Sequence, residues 1–135
     1  KGSVVVLRYQ EGSASTAKRE KGFLDVIKKH VGIEVLSKNQ YGGATTQTAF
    51  KAAENLLAAK SAADGKVSGV FCPNESTTFG MLLVLQKLGM AGKIKFVGFD
   101  ASEKLVKALR DKQIDALVVQ DPFNERHFRF SILHL

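Results

Sequence analysis

At 135 residues, with 44% apolar and 24% charged side chains, the chain has room for one domain with its own core and the make-up of a globular fold, not of a disordered or fibrous one. Its longest apolar runs are strand-sized, which excludes a membrane-spanning helix, and the opening Lys1-Gly2-Ser3 leads straight into Val4-Val5-Val6-Leu7 without a signal-peptide pattern. The net charge of +7 invites a nucleic-acid partner, but the lysines (Lys18, Lys21, Lys28, Lys29, Lys51 and Lys104 among them) are scattered along expected helix faces, with no basic block and no aromatic-and-arginine platform, so no nucleic acid is expected on this segment.

Residues 3–9 read as a strand, apolar on both faces through Val4 to Leu7, as buried parallel strands are. A polar turn with Glu11-Gly12-Ser13 follows, and Thr16 suits the cap of a helix reaching Val31, its apolar face built on Phe23, Ile27 and Val31 and widened by Leu24 and Val26. Gly32 stands in the position that ends a helix. A second strand is expected over 33–39, then a Gln40-Tyr41-Gly42-Gly43 turn whose glycines are available for positive φ, then a helix over 45–62 with Ala49, Ala53, Leu56 and Leu57 inward. Residues 67–72 form the third strand and Pro73 stops it; Ser76 or Thr77 caps a helix that runs to Leu88 and closes at Gly89. Residues 94–99 and 114–120 are the fourth and fifth strands, separated by a helix that starts at Ser102 and ends at Arg110; Asp121-Pro122 stops the last strand. Residues 123–135 carry a weak helical pattern. The single Cys72 has no internal disulfide partner and lies in an apolar run, where a buried small hydrophobe is expected.

Helical connections between apolar strands imply parallel pairing with right-handed crossovers. The expected fold is therefore α/β: a doubly wound, five-stranded parallel sheet in the flavodoxin-like order 2-1-3-4-5, with helices on both faces. In such a sheet all strand ends meet along one edge, where ligands bind. The residues brought there are Gln10, Ser13, Ser15 and Arg19 after the first strand, Tyr41 after the second, Asn74 after the third, Phe99 and Asp100 after the fourth, and Gln120 at the end of the fifth. Carboxylate and amide groups bond hydroxyls in fixed directions, and aromatic faces cover sugar C–H surfaces, so this set suits a polyol. Each residue also has an ordinary loop role; Asn74 in particular is either a ligand contact or a residue that shapes its turn.

Enzyme chemistry finds less support. The phosphate-binding glycine patterns and the G-x-S-x-G elbow are absent. Cys72 has no histidine nearby in sequence, and His30, His127 and His134 lack companions at metal-ligand spacing, so no enzyme, metal or cofactor is expected. A flavin-binding electron carrier using the small, hydroxyl-rich loop 12–16 is the alternative from another class.

The stretches Ser13-Ala14-Ser15-Thr16-Ala17-Lys18-Arg19-Glu20, Val70-Phe71-Cys72-Pro73-Asn74-Glu75, Phe96-Val97-Gly98-Phe99-Asp100 and Ile114-Asp115-Ala116-Leu117-Val118-Val119-Gln120, in this order, resemble the second lobe of the type I periplasmic sugar-binding proteins, the ribose-binding group. The resemblance implies that residues 1–122 are a sugar-binding lobe and 123–135 a crossing segment or irregular tail. It implies that Arg19, Asn74, Asp100 and Gln120 contact a monosaccharide or polyol, with Phe99 beside them. The family's aromatic after the second strand has Tyr41 as its nearest counterpart. It further implies periplasmic or extracytoplasmic residence and delivery of sugar to an importer of the ABC transporter kind. The first lobe of the family has no counterpart in this chain, and 124–130 does not match the family's small-residue helix. Effector domains of lactose-repressor-type regulators, which would be cytoplasmic, share this lobe and remain open as a reading. In the absence of the other lobe, the apolar residues of 123–135 are expected to fray, to fold back on the sheet edge, or to pair with another copy in self-association.

Overall fold

The computed structural model describes residues 1–37, 39–60, 62–120 and 130–134. In chain order the elements are β1 (Gly2–Val6), α1 (Ala14–Ile27), β2 (Ile33–Val35), α2 (Thr46–Ala59), a short 3-10 turn (Ala62–Asp64), β3 (Gly69–Phe71), α3 (Glu75–Lys87), β4 (Lys95–Phe99), α4 (Glu103–Arg110), β5 (Ala116–Gln120) and β6 (Phe130–Leu133). The sheet runs β2-β1-β3-β4-β5-β6. Its first five strands are parallel in the expected 2-1-3-4-5 order, and β6 lies antiparallel to β5 with Val118 opposite Ile132 and Gln120 opposite Phe130.

The sixth strand is the main addition to the sequence expectation. Where 123–135 carries a weak helical pattern, 130–133 instead takes up the unpaired backbone groups along the outer side of β5, which a sheet edge always offers. Leu133 packs against the main core, while Ile132 on the opposite face is 65% exposed. The strand stop at Asp121-Pro122 and the apolar Phe123, Phe128 and Leu135 lie outside the described residues.

Strand side chains alternate between two cores, as the pleat requires. Val5, Leu7, Val70, Cys72, Phe96 and Leu117 meet the apolar sides of α2, α3 and α4. Val6, Phe71, Phe99, Val97 and Val118 point the other way, towards Phe23 and Leu24 of α1. Three helices thus cover one face and α1 the other. On the α1 face Phe23 stacks flat on Phe71 (4.3 Å between centroids, 2° between planes), and Phe71 meets Phe99 edge-on at 6.1 Å.

The helix ends show where local chemistry overrules periodicity. α1 stops at Ile27, four residues short of Val31, because His30 and Ile33 already turn the chain into β2: the His30 amide donates to Ile27 O and the Ile33 amide to His30 O. Val31 is consequently fully exposed and Val26 is 54% exposed, so neither belongs to the apolar stripe expected for them. Gly32 is not among the glycines at positive φ. α2 starts on a reciprocal cap: Thr45 Oγ1 accepts from the Thr48 amide at 3.1 Å, and the Thr45 amide donates to Thr48 Oγ1 at 3.3 Å. α3 is capped by Asn74 rather than by Ser76 or Thr77. α4 begins after Ser102 as expected, but the Ser102 hydroxyl makes no cap bond.

α2 and α3 pack at short range because α3 carries Gly80 at the crossing. A Cβ there would lie 2.7 Å from Ala49 Cβ and 2.8 Å from the Phe50 amide nitrogen, inside van der Waals contact. Gly80→Ala would gain about 1 kcal/mol of helix propensity, but overpacking a rigid helix crossing costs about 1–3 kcal/mol. The net expectation is a lower urea midpoint; an unchanged or raised midpoint would show that α2 can back away from α3 at little cost.

Candidate functional site

The carboxyl edge of the sheet gathers the ends of β1 to β5, and two adjacent residues of α1 reach across it. Thr16, Glu20, Phe23 and Ile27 recur at helical spacing along the inward side of α1, and Thr16 and Glu20 are buried. Arg19 stands beside that stripe. Its Nη1 donates to the carbonyl of Pro73 at 2.8 Å, at the end of β3, and its guanidinium carbon lies 4.5 Å from the centre of the Phe99 ring, at the end of β4. Phe99 itself is 4% exposed and continues the Phe23–Phe71 stack. One helix residue therefore joins two strand ends, with an aromatic face beneath a cation. Arg19 has no carboxylate partner among the described residues.

Asn74 is half-buried and heavily engaged. Its Oδ1 accepts from the Thr77 amide (3.3 Å) and the Thr77 hydroxyl (2.5 Å), and its Nδ2 donates to Ser76 Oγ (3.0 Å). The turn-shaping role left open by the sequence is thus realised, and one N–H of the amide remains uncommitted. Thr78, fully buried, donates to Asn74 O at 2.7 Å and accepts from the Phe99 amide at 3.1 Å. This hydroxyl ties the start of α3 to the end of β4.

Asp100 follows directly. Its backbone is in the left-handed region at φ 72°, and its amide donates to Val118 O at 2.9 Å. Aspartate tolerates that conformation better than most residues, at a cost of roughly 1 kcal/mol. The carboxylate is half-buried and has no hydrogen bond or ion pair among the described residues. A cramped backbone holding an unpartnered acceptor at a strand end has the form of a ligand contact.

Tyr41, 36% exposed, sits one strand further out, bridged to Arg8 at the end of β1. Gln120 ends β5 opposite Phe130 and is exposed. Ser15 is exposed in the first turn of α1. Of the sequence-derived residues, then, Arg19, Phe99 and the Pro73–Asn74 turn touch one another and Asp100 is joined to them through the chain. Tyr41, Gln120 and Ser15 lie at ends of elements on the same edge without such contacts. Cys72 is buried one residue before this turn, and burial pushes its thiol well above the ordinary range, so it is no nucleophile. Among the described residues no cluster of His, Cys, Asp and Glu has the geometry to hold a metal ion.

Sequence reasoning overlooked Arg8, Glu20 and Asn39. Arg8 Nε donates to Glu20 Oε2 at 2.8 Å, and its Nη1 to Asn39 Oδ1 at 3.1 Å and to the Tyr41 hydroxyl at 3.3 Å. The available signal was a carboxylate at position 20 inside an otherwise inward-facing stripe, which demands a buried partner.

The model of the periplasmic binding protein domain matches residues 1–128. The ribose import binding protein of Haemophilus influenzae is 29% identical over 119 residues, 88% of this chain and 38% of that protein. Among solved structures, the periplasmic component of an ABC-type sugar transport system from Hahella chejuensis superposes with a TM-score of 0.82 at 38% identity, covering 90% of this chain and 42% of that one. An ABC transporter solute-binding protein from Agrobacterium vitis, bound with α-D-tagatopyranose, gives a TM-score of 0.85 at 26% identity over 99% of this chain and 50% of that one. The chain thus spans half or less of the length of these relatives, and it belongs to the periplasmic binding protein domain family.

Replacing Asp100 by glycine removes the left-handed penalty together with the carboxylate. Asp100→Gly is expected to leave the urea-unfolding free energy unchanged or raised by up to about 1 kcal/mol. A clear loss of stability would show that the carboxylate has a structural partner.

Proposed function

We propose that this periplasmic binding protein domain forms one wall of a cleft that holds a monosaccharide or similar polyol, within an extracytoplasmic binding protein that delivers the sugar to a membrane importer. The observation that carries the reading is the presence of opposite, uncompensated charges at one edge: the Arg19 guanidinium over the Phe99 ring, and the half-buried Asp100 carboxylate at the end of β4, the strand next to β3 and its Pro73 turn. One cation and one anion, neither ion-paired among the described residues, suit a neutral ligand better than a charged one. Both can make charge-assisted bonds to hydroxyls, and the exposed ring of Tyr41 offers a surface for C–H groups.

In this reading Asp100 and Arg19 grip hydroxyls directly, Asn74 adds its remaining N–H, and Gln120, Tyr41 and Ser15 close the wall at its margins. Binding consists of replacing water on these groups by ligand hydroxyls, with no covalent step. The relatives support the ligand class: one is a ribose import protein and another holds tagatopyranose. They are import components rather than regulators or flavin carriers, which favours transport.

The test is calorimetry on a two-lobed protein carrying this chain, against a panel of pentoses and hexoses. Asp100→Ala is expected to weaken the tightest-binding sugar by about 1.5–3 kcal/mol, the range for a hydrogen bond to a charged group. A loss of only a few tenths would reduce Asp100 to a turn residue, and no heat with any sugar would remove the reading altogether.

A further inference from the structure

We propose that Arg8, locked by the buried carboxylate of Glu20, is a positioning residue that sets the posture of Tyr41 at the ligand edge. Nothing in the family match or in the strand-end pattern assigns Arg8 or Glu20 a part in the site. Arg8 comes directly after the core run of β1, and its backbone already clamps the Tyr41 turn: the Arg8 amide donates to Gln40 O at 2.8 Å, and the Gly42 amide to Arg8 O at 2.6 Å. Its guanidinium then reaches the same turn from the side, donating to Asn39 Oδ1 and the Tyr41 hydroxyl and lying 5.5 Å from the centre of the Tyr41 ring.

Such a contact to a partly exposed ring would be worth little from a freely swinging side chain. Here it does not swing. Nε is fixed at 2.8 Å to Glu20, whose side chain is 4% exposed, against 23% for Arg8. The planar fork of arginine lets one edge bind the carboxylate while the other faces the turn, a division that the single ammonium of lysine cannot reproduce. Glu20 is itself rigid, being one residue along α1 from Arg19 and held on the helix's inward stripe. The same turn of α1 therefore places a cation over Phe99 and, through Glu20, a cation against Tyr41. Tyr41 offers its ring to the edge in one orientation, with its hydroxyl already committed to Arg8. The consequence for ligand rests on the sugar reading: Tyr41 meets the ligand as a fixed apolar face rather than as a mobile hydroxyl.

The chain has two tyrosines, so 3-fluorotyrosine labelling gives two fluorine resonances, Tyr9 and Tyr41, assigned with Tyr41→Phe. Glu20→Met removes the acceptor of Arg8 Nε, and with it the lock, without touching Tyr41. The double variant Arg8→Gln/Glu20→Gln removes both charges, so that no buried carboxylate is stranded and folding is preserved. In both, the Tyr41 resonance is expected to move to the position of free fluorotyrosine while that of Tyr9 stays. A Tyr41 resonance unmoved in both variants overturns the proposal. Arg8→Lys is expected not to restore the resonance, and restoration would reduce Arg8 to a point charge. Titration of the same samples with millimolar D-ribose and D-tagatose, at a temperature where every variant is folded, separates the two readings. If either sugar shifts the parent's Tyr41 resonance, affinity in the variants is expected to fall about fivefold, the worth of one positioned contact, and equal affinity counts against a role in binding. If neither sugar shifts any parent resonance, the sugar reading is at fault and the resonance positions alone decide the posture of Tyr41.

Discussion

The buried hydroxyl of Thr78 is the joint on which the carboxyl edge turns. It donates to Asn74 O, at the start of α3, and accepts from the Phe99 amide, at the end of β4. Both bonds need the helix to sit almost on the strand, and that is possible because residue 98 is glycine: a Cβ there would collide with Thr78 Cγ2 and come within 2.8 Å of its Oγ1. The position of Phe99, and hence of Asp100 beyond it, is therefore set by a helix cap and a missing methyl group rather than by the loop between them. A hydroxyl buried without partners would cost a few kcal/mol; with both lone pair and proton used it becomes a fixed distance between two parts of the site.

From the opposite face, α1 performs a second fastening. Arg19 and Glu20 are neighbours in sequence and diverge in space, the first to β3 and β4, the second to β1 and through Arg8 to the turn after β2. Four strand ends are thus referred to one turn of one helix. The Arg8–Glu20 pair is half in and half out of the protein, a setting in which its value lies more in geometry than in net stability, because desolvation offsets much of the Coulomb attraction.

Most of this fold could be read from the chain. Apolar runs of strand length alternating with helical stripes specify a parallel sheet with right-handed crossovers, and the flavodoxin-like order 2-1-3-4-5 expected for that pattern is the one observed. The misreadings have physical causes. Val31 extended the apolar stripe of α1 on paper, but the amide of Ile33 was already spoken for by His30 O. β6 was hidden because an edge strand of four residues has too short a pattern to outweigh a neighbouring helical period. At the site, Asn74, Phe99 and Asp100 were visible because they stand at strand ends, and Arg19 because it lies in the helix that follows the first strand end. Arg8 and Glu20 were not, because the one signal, a carboxylate inside the inward stripe of α1, does not say that its partner is the arginine twelve residues earlier.

The two faces of the sheet are unequally secured. α2, α3 and α4 share one continuous core, whereas α1 holds its face through Phe23, Leu24 and a short aromatic stack. Free energies of local opening follow such differences, and a helix with one narrow seam is the element expected to detach before the rest unfolds. Since that helix bears Arg19 and Glu20, every such excursion dismantles the edge while leaving the three-helix layer intact. A molecule seated on the edge would bind only the docked form, so occupancy would be felt as slowed amide exchange in α1, far more than in the helices behind the sheet.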